Sequence, residues 1–145
     1  MVFTAVPALR QICRTATNTM TCPFCTLTES RVRFQTSLAV GVDDAFPVSP
    51  GHTLIVPRRH VRSYFELSPL EREAVNELLD QAQRDLSERL RPDAYTIGIN
   101  DGPAAGQSIP HVHVHLIPRY RGDRENPRGG VRWVLPDKAD YWSRR

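Results

Sequence analysis

Three histidines alternate with apolar residues in the segment His111-Val112-His113-Val114-His115-Leu116-Ile117. Successive side chains of a β-strand point to opposite faces, so this pattern predicts a strand with three imidazoles on one face and Val112, Val114 and Leu116 on the other. Near pH 7 an imidazole is a nucleophile, a proton-transfer group and a metal ligand. The spacing therefore indicates a chemical site rather than an ordinary solvated strand face.

The loop before this strand, Asn100 to Ser108, is rich in small residues. It contains Gly102, Gly106 and two alanines. Glycine allows backbone N–H groups to approach a ligand closely, and loops of this kind bind anions. Imidazoles beside such a loop predict a ligand that contains phosphate.

Composition limits the class of protein. The chain has 145 residues, 40% hydrophobic and 24% charged, which suits one domain whose core needs no disulfides. No apolar run approaches the roughly 18 residues of a membrane span, so no membrane partner is expected. A net charge of +3 is too small for the basic stripe of a duplex nucleic-acid binder. A small anionic ligand fits this composition better.

The first 28 residues lack acidic side chains and loosely resemble a transit peptide. We expect residues 1–19 to be a disordered leader, or translation to start at Met20. Three cysteines, Cys13, Cys22 and Cys25, cannot all pair within one chain, and no secretory signal is visible. This favours thiols in a reducing compartment, the cytoplasm, that bind metal or are inert.

The remaining segments predict the scaffold that positions these groups, a single α+β domain over residues 20–145. Strands are predicted at 38–42, 52–56, 95–99 and 111–117. A helix is predicted from the capping box at Ser68-Pro69-Leu70-Glu71 to just before Pro92. An antiparallel meander with this helix packed on one face leaves the other face for the histidines. The tail from about residue 120 is rich in Arg, Gly and Pro.

Five arginines lie at the start of the tail and within it. We expect most of them to be exposed and balanced by acidic residues, with one or two folding over the site to meet phosphates. They are Arg119, Arg121, Arg124, Arg128 and Arg132.

The histidine pattern resembles that of the histidine triad family. The resemblance extends to Gly106-Gln107-Ser108 upstream, to Pro50-Gly51-His52-Thr53 in the preceding strand and to Pro118-Arg119 downstream. It covers roughly residues 20 to 120. The block Asp101 to Ser108 ahead of the triad is most similar to the diadenosine polyphosphate hydrolase branch.

The resemblance implies a homodimer that acts as a nucleotide hydrolase or nucleotidyl transferase without an organic cofactor. His113 would attack the α-phosphorus of a substrate such as a dinucleoside polyphosphate, and water would then hydrolyse the nucleotidyl-histidine. A neutral imidazole with one free nitrogen is a competent nucleophile. Gln107, Ser108 and His115 would surround the phosphate oxygens.

Further residues match the family by position. Asp44, eight residues before His52, matches the acceptor of the ribose hydroxyls, and His52 matches a hydrogen-bond partner of the triad. The other matches are Asn100 and Gly106 near the phosphates, and Val42 and Leu54 as apolar walls of a base slot.

A second site is predicted from the Cys-x-x-Cys of Cys22 and Cys25. With His60 and His111 it offers two thiolates and two imidazoles, a tetrahedral zinc set, and zinc-bearing family members use a similar set. Four protein ligands leave no position for water, so this zinc would be structural. The alternative is two buried thiols and a surface histidine.

Three other functions stay open at this point. The first is a purine nucleoside phosphoramidase. The second is a nucleotide sensor or scaffold whose hydrolysis is incidental. The third is a metalloenzyme in which His111, His113 and His115 share one catalytic ion.

Overall fold

The histidine segment belongs to a sheet of five antiparallel strands. This computed structural model describes residues 22–143, so the predicted leader lies outside the described residues. The strands are β1 (Val32–Gln35), β2 (Ala39–Asp43), β3 (Thr53–Pro57), β4 (Ala94–Gly98) and β5 (Val114–Arg119), in the spatial order β1-β2-β3-β5-β4. Helix α1 (Pro69–Arg89) leads from β3 to the far edge, so β5 returns between β3 and β4.

The predicted capping box begins α1. The Ser68 hydroxyl accepts the Glu71 N–H at 3.2 Å, and the Glu71 carboxylate accepts the Ser68 N–H at 2.8 Å. The buried face of α1 packs against Ile55 of β3 and against Val114 and Leu116 of β5. The α+β class and the helix on one face of the sheet are therefore confirmed.

The opposite face of the sheet is also partly covered. Cys22 and Phe24 pack there in a second core with residues of β2 and β3, namely Val40, Val42, Leu54 and Val56. β2 and β3 are buried on both faces of the sheet, which explains their continuous apolar sequences. The histidine-bearing face was expected to be open, but the segment that contains Cys22 and Phe24 covers part of it.

Two elements differ from the sequence prediction. β1 was not predicted, because this short edge strand, Val-Arg-Phe-Gln, alternates half-buried and exposed residues and carries no strong apolar signal. The histidine strand was predicted from residue 111, but regular pairing begins only at Val114. Before that point the N–H of Val112 bonds to the carbonyl of Val61 at 2.8 Å, outside the sheet.

The tail folds on itself. It contains a 3₁₀ turn (Gly130–Val134) and a short helix α2 (Pro136–Ala139). Arg119 pairs with Asp123 at 2.7 Å and Arg121 with Asp93 at 3.3 Å. The remaining three, Arg124, Arg128 and Arg132, lie over the rings of Trp133, Trp142 and Tyr141. Each of these five arginines therefore has an acidic or aromatic partner.

Other 3₁₀ turns span Glu29–Arg31, Tyr64–Glu66 and Pro103–Ala105. Within residues 22–143, no helix has the length and apolar character needed to cross a membrane.

Glu71 generates a prediction for acid stability. Its hydrogen bonds from Arg59, at 2.7 and 2.8 Å, hold its pKa at about 2, below the ordinary 4.5. The stabilisation is therefore complete above pH 4.5 and is lost as the pH falls towards 2. We expect Glu71→Gln to lower the free energy of unfolding by about 1–3 kcal/mol at pH 7 and to flatten this acid dependence.

The measurement is denaturant unfolding between pH 2.5 and 7. Glu77→Gln, on an exposed position of the same helix, is the matched control and should behave like the unmodified chain. An acid dependence that is identical in Glu71→Gln and Glu77→Gln would contradict the assignment.

Candidate active site and metal centre

All five histidines of the chain lie along the β3–β5 pair. His52 precedes β3, His60 follows it, and the other three lie on β5 and the segment leading into it. Ring centroids are 4.8 Å apart for His60 and His111, 5.0 Å for His113 and His115, and 5.2 Å for His115 and His52. The antiparallel pairing thus gathers residues that are about 60 positions apart in sequence.

The ring of His113 has a defined orientation. Its Nδ1 lies 2.9 Å from the carbonyl oxygen of His111. A carbonyl oxygen only accepts, so Nδ1 carries the proton and Nε2 of the neutral ring holds a lone pair. His113 is 8% exposed, and the ring of Phe24 lies 5.1 Å from it. The middle histidine therefore presents an unprotonated nitrogen in a largely desolvated place.

His115 has the opposite tautomer. The Val48 N–H donates to Nδ1 of His52 at 3.3 Å, so neutral His52 carries its proton on Nε2. That proton is donated to Nδ1 of His115 at 2.9 Å, which leaves the His115 proton on Nε2. Among residues 22–143, Nε2 of His115 is buried with no hydrogen-bond partner. It is a donor available to a ligand.

Burial keeps both of these rings neutral. It is the largest cause that lowers the pKa of His115 to about 4, and the charges of His113 and His52 lower it further. Burial also lowers the pKa of His52, although the carboxylate of Asp44 opposes this shift. At pH 7 the His115 Nε2–H is therefore a neutral hydrogen-bond donor.

Asp44 lies beside this pair. One of its carboxylate oxygens accepts the Phe46 N–H at 2.8 Å, and the other lies 3.4 Å from Nδ1 of His52. Its place next to the histidine row is consistent with the predicted contact to a ribose, and that role stays a prediction.

The two predicted walls of the base slot lie in one row with His115. Val42 pairs with Leu54 across β2 and β3, and Leu54 pairs with His115 across β3 and β5. Because directly paired residues share a face, all three side chains point the same way. Val42 and Leu54 are only 1% and 6% exposed, in the cluster that contains Phe24. A base slot here would also be bounded by Phe24.

The small-residue loop is held in shape from within. Gly102 and Gly106 both have φ of +90°, a conformation that side chains rarely adopt. The Gln107 amide oxygen accepts the Gly102 N–H at 2.9 Å, and its nitrogen donates to the carbonyl of Arg62 at 2.7 Å. Gln107, predicted to contact phosphate, here fastens the loop to the segment after His60.

Two further predicted phosphate contacts, Ser108 and Asn100, are exposed. Ser108 lines a cavity of about 260 Å³ together with His60 and Arg62. Gly106 is exposed at the same loop. Contacts of these three residues with phosphate stay predictions.

The candidate metal centre lies at the other end of the histidine row. The ligand atoms of Cys22, Cys25, His60 and His111 all lie within 4.8 Å of one another. Nδ1 of His111 is 3.5 Å from the sulfur of Cys22 and 3.6 Å from that of Cys25, while Nδ1 of His60 is 3.1 Å from Cys25. A turn in which the Cys25 N–H bonds to the Cys22 carbonyl brings both sulfurs to one side.

The donor set fits a metal. Nε2 of His111 donates to the carbonyl of Pro57 at 2.8 Å, so Nδ1 is unprotonated and faces the sulfurs. Cys22 is a free, buried thiol. Cys25 is disulfide-bonded in this structure, so it would bind a metal only after reduction. Reduced, these four residues could hold one ion.

The three triad histidines do not converge on one point. Within the described part of the chain, side chains close enough to share an ion form two groups, the cysteine group above and Asp44 with His52 and His115. Neither includes His113. The hypothesis of one catalytic ion shared by the triad is therefore not supported.

Sequence reasoning missed Phe24 and Arg62. Phe24 contacts the rings of both His111 and His113, at 5.8 and 5.1 Å. The available signal was its position inside the Cys-x-x-Cys. Arg62 lies two residues after a predicted ligand, and only the folded loop brings it next to Ser108.

Comparisons with known proteins agree with this architecture. The family described as HIT domain matches residues 27–122. An asymmetrical bis(5'-nucleosyl)-tetraphosphatase of Schizosaccharomyces pombe is 37% identical over 94 residues, 65% of this chain and 52% of that protein. A bis(5'-adenosyl)-triphosphatase of Saccharomyces cerevisiae is 32% identical over 117 residues, 80% of this chain and 54% of that protein. The chain spans about half the length of these two relatives.

Among solved structures, a Zn-bound histidine triad family protein from Mycobacterium smegmatis matches with a TM-score of 0.66 and 30% identity. The match covers 74% of this chain and 81% of that one.

The hydrogen bonds above predict the ring tautomers. At neutral pH we expect His113 as the Nδ1–H form and His115 as the Nε2–H form, measured by long-range ¹⁵N–¹H NMR correlations. His52→Ala should leave the His113 signals unchanged and alter those of His115. A dominant Nε2–H form of His113 would contradict the assignment.

Proposed function

The chain belongs to the HIT domain family, and we propose that it is a hydrolase of nucleotide conjugates that acts through a covalent nucleotidyl intermediate on His113. The observation that carries this proposal is the hydrogen bond of 2.9 Å from His113 Nδ1 to the His111 carbonyl. It leaves Nε2 as a nucleophile of fixed direction, beside the buried donor of His115.

The reaction has two displacement steps. Nε2 of neutral His113 attacks the phosphorus that bears the nucleoside, a P–N bond forms, and the leaving group departs with the electrons of its bond to phosphorus. Water then attacks the same phosphorus and breaks the P–N bond, releasing a nucleoside monophosphate and the free imidazole. The His115 Nε2–H would donate to phosphate oxygens as charge develops on them.

The substrate that we infer is a dinucleoside polyphosphate. The two fungal relatives are named for hydrolysis of such compounds. In this proposal Asp44 accepts the ribose hydroxyls and Val42 and Leu54 contact the base. The phosphates are bound by Gly106, Ser108, Asn100 and the backbone that Gln107 holds in place. A purine nucleoside phosphoramidate is the alternative substrate, attacked in the same way but with a different leaving group.

We further propose that the metal is zinc and that it is structural. Two sulfurs and two imidazole nitrogens are the ligands of closed tetrahedral zinc sites, and a structural neighbour is Zn-bound. Bound zinc would tie the Cys22–Cys25 turn to His60 and His111. The cytoplasm, where thiols stay reduced, is the proposed location.

A homodimer is the proposed assembly. β4 is an edge strand whose Ile97 is 53% exposed, so it offers both unpaired backbone groups and apolar surface to a second copy of the chain.

The nucleophile assignment is tested by His113→Asn. We expect AMP release from diadenosine polyphosphates to fall by about 10³ or more, because the covalent route is lost. Unmodified enzyme quenched in alkaline denaturant, which preserves the acid-labile P–N bond, should carry an adenylyl group on a histidine by mass spectrometry, and the variant should not. AMP should still bind to the variant.

Other outcomes separate the alternatives. Faster turnover of adenosine 5′-phosphoramidate than of any polyphosphate would favour the phosphoramidase. Tight AMP binding without turnover of either substrate by folded, unmodified protein would favour the sensor.

The zinc assignment predicts about one zinc ion per chain in protein purified under reducing conditions. Cys22→Ser and His60→Asn should each lose zinc, measured by elemental analysis, and should lower Tm because the cross-link is lost. His113→Asn and His115→Asn are the matched controls and should retain it. Zinc that is lost with the controls and kept by the first pair would contradict a structural site.

A further inference from the structure

The cavity of about 260 Å³ lies between the cysteine turn and the small-residue loop. Its walls include Pro23, Ile109 and Pro110, and its polar lining includes Arg62 and Ser108. Pockets that enclose a drug-sized ligand usually measure about 300–1,000 Å³. This cavity is therefore better suited to a small group than to a whole nucleoside.

Arg62 is a cation with no competing partner nearby. Its side chain is exposed, and among residues 22–143 it forms no ion pair or side-chain hydrogen bond. Its neighbour Arg59, by contrast, is bound to Glu71 at 2.7 Å. A free guanidinium presents up to five donors to an anion.

The backbone of Arg62 is held in place against the small-residue loop. Its carbonyl accepts the Gln107 amide N–H at 2.7 Å, and Asp101 accepts from the hydroxyl of Ser63 and the N–H of Tyr64 at 3.0 and 2.7 Å. Two independent contacts thus fix the segment after His60 against the loop. Arg62 and Ser108 line the same cavity.

The cavity lies at one end of the histidine row, and its lining includes His60 but not His113. His60 lines it, and the His60 ring lies 4.8 Å from that of His111, whose carbonyl orients His113. Ser108, a proposed ligand of the attacked phosphate, also lines it. A substrate held at His113 would have this cation on the side of the loop.

We propose that this cavity binds the phosphates beyond the one under attack, with Arg62 as the residue that selects a polyphosphate leaving group. The inference rests on the proposed function and deepens it, because a phosphoramidate has no phosphate to place there. It assigns Arg62 to substrate choice and not to the displacement at phosphorus.

The test compares two substrates, diadenosine tetraphosphate and adenosine 5′-phosphoramidate, in Arg62→Ala. We expect kcat/KM to fall about tenfold for the tetraphosphate, the loss of one charge-assisted contact, and less than about twofold for the phosphoramidate. Arg62→Lys should recover part of the loss, because it restores the charge without the planar fork. Arg84→Ala removes an equal charge from an exposed position of α1 and should leave both values unchanged.

Equal losses on both substrates, or no loss on the tetraphosphate, would overturn the inference while the hydrolase assignment stands. Unmodified protein that hydrolyses neither substrate would contradict the proposed function instead. Whether the cavity binds an anion is tested separately, by measuring the binding of inorganic tripolyphosphate by calorimetry. Arg62→Ala should weaken that binding about tenfold, and unchanged binding would overturn the site.

Discussion

Three residue pairs between β3 and β5 position the side chains of the candidate active site. They are Thr53 with Leu116, Leu54 with His115 and Ile55 with Val114. A shift of one residue would turn His115 towards α1 and its apolar neighbours into the site. The register is stabilised because Ile55, Val114 and Leu116 are buried together beneath the helix. The same pairing places His52 and His60 at the two ends of one row.

Backbone groups orient the rings in that row. The carbonyl of His111 accepts from the ring of His113, and the carbonyl of Pro57 accepts from the ring of His111. The N–H of Val48 donates to His52, which in turn donates to His115. The direction of each bond follows from what a carbonyl or an amide is able to do. One imidazole thereby has a free lone pair and its neighbour a free proton, the complementary pair that the proposed attack on a phosphate requires.

His111 connects the two sites. Its ring faces the cysteine sulfurs, while its carbonyl orients His113, the proposed nucleophile, two residues later. Phe24, inside the cysteine turn, contacts His113 as well. A metal that stiffened this turn would therefore steady both the backbone and the wall of the active site without touching the substrate. The proposed structural metal and the proposed metal-free reaction are therefore compatible within one short segment.

The sequence alone determined the residue types of both sites, the capped helix and the apolar strands, because alternation, capping and Cys-x-x-Cys spacing are local properties. It did not show that the ladder begins only at Val114, that the edge strand β1 exists, or that the tail arginines are occupied. Those depend on which groups find partners after folding. The tertiary structure alone decided which nitrogen of each histidine ring is free. It also decided that Gln107 bonds to the Arg62 carbonyl and that Arg62 lies beside Ser108. Most of these are contacts between segments far apart in sequence, such as Gln107 with Arg62 and His52 with His115, whose geometry exists only once the strands have paired. The bond from His113 to the His111 carbonyl is local in sequence, but it depends on the backbone path that leads into β5.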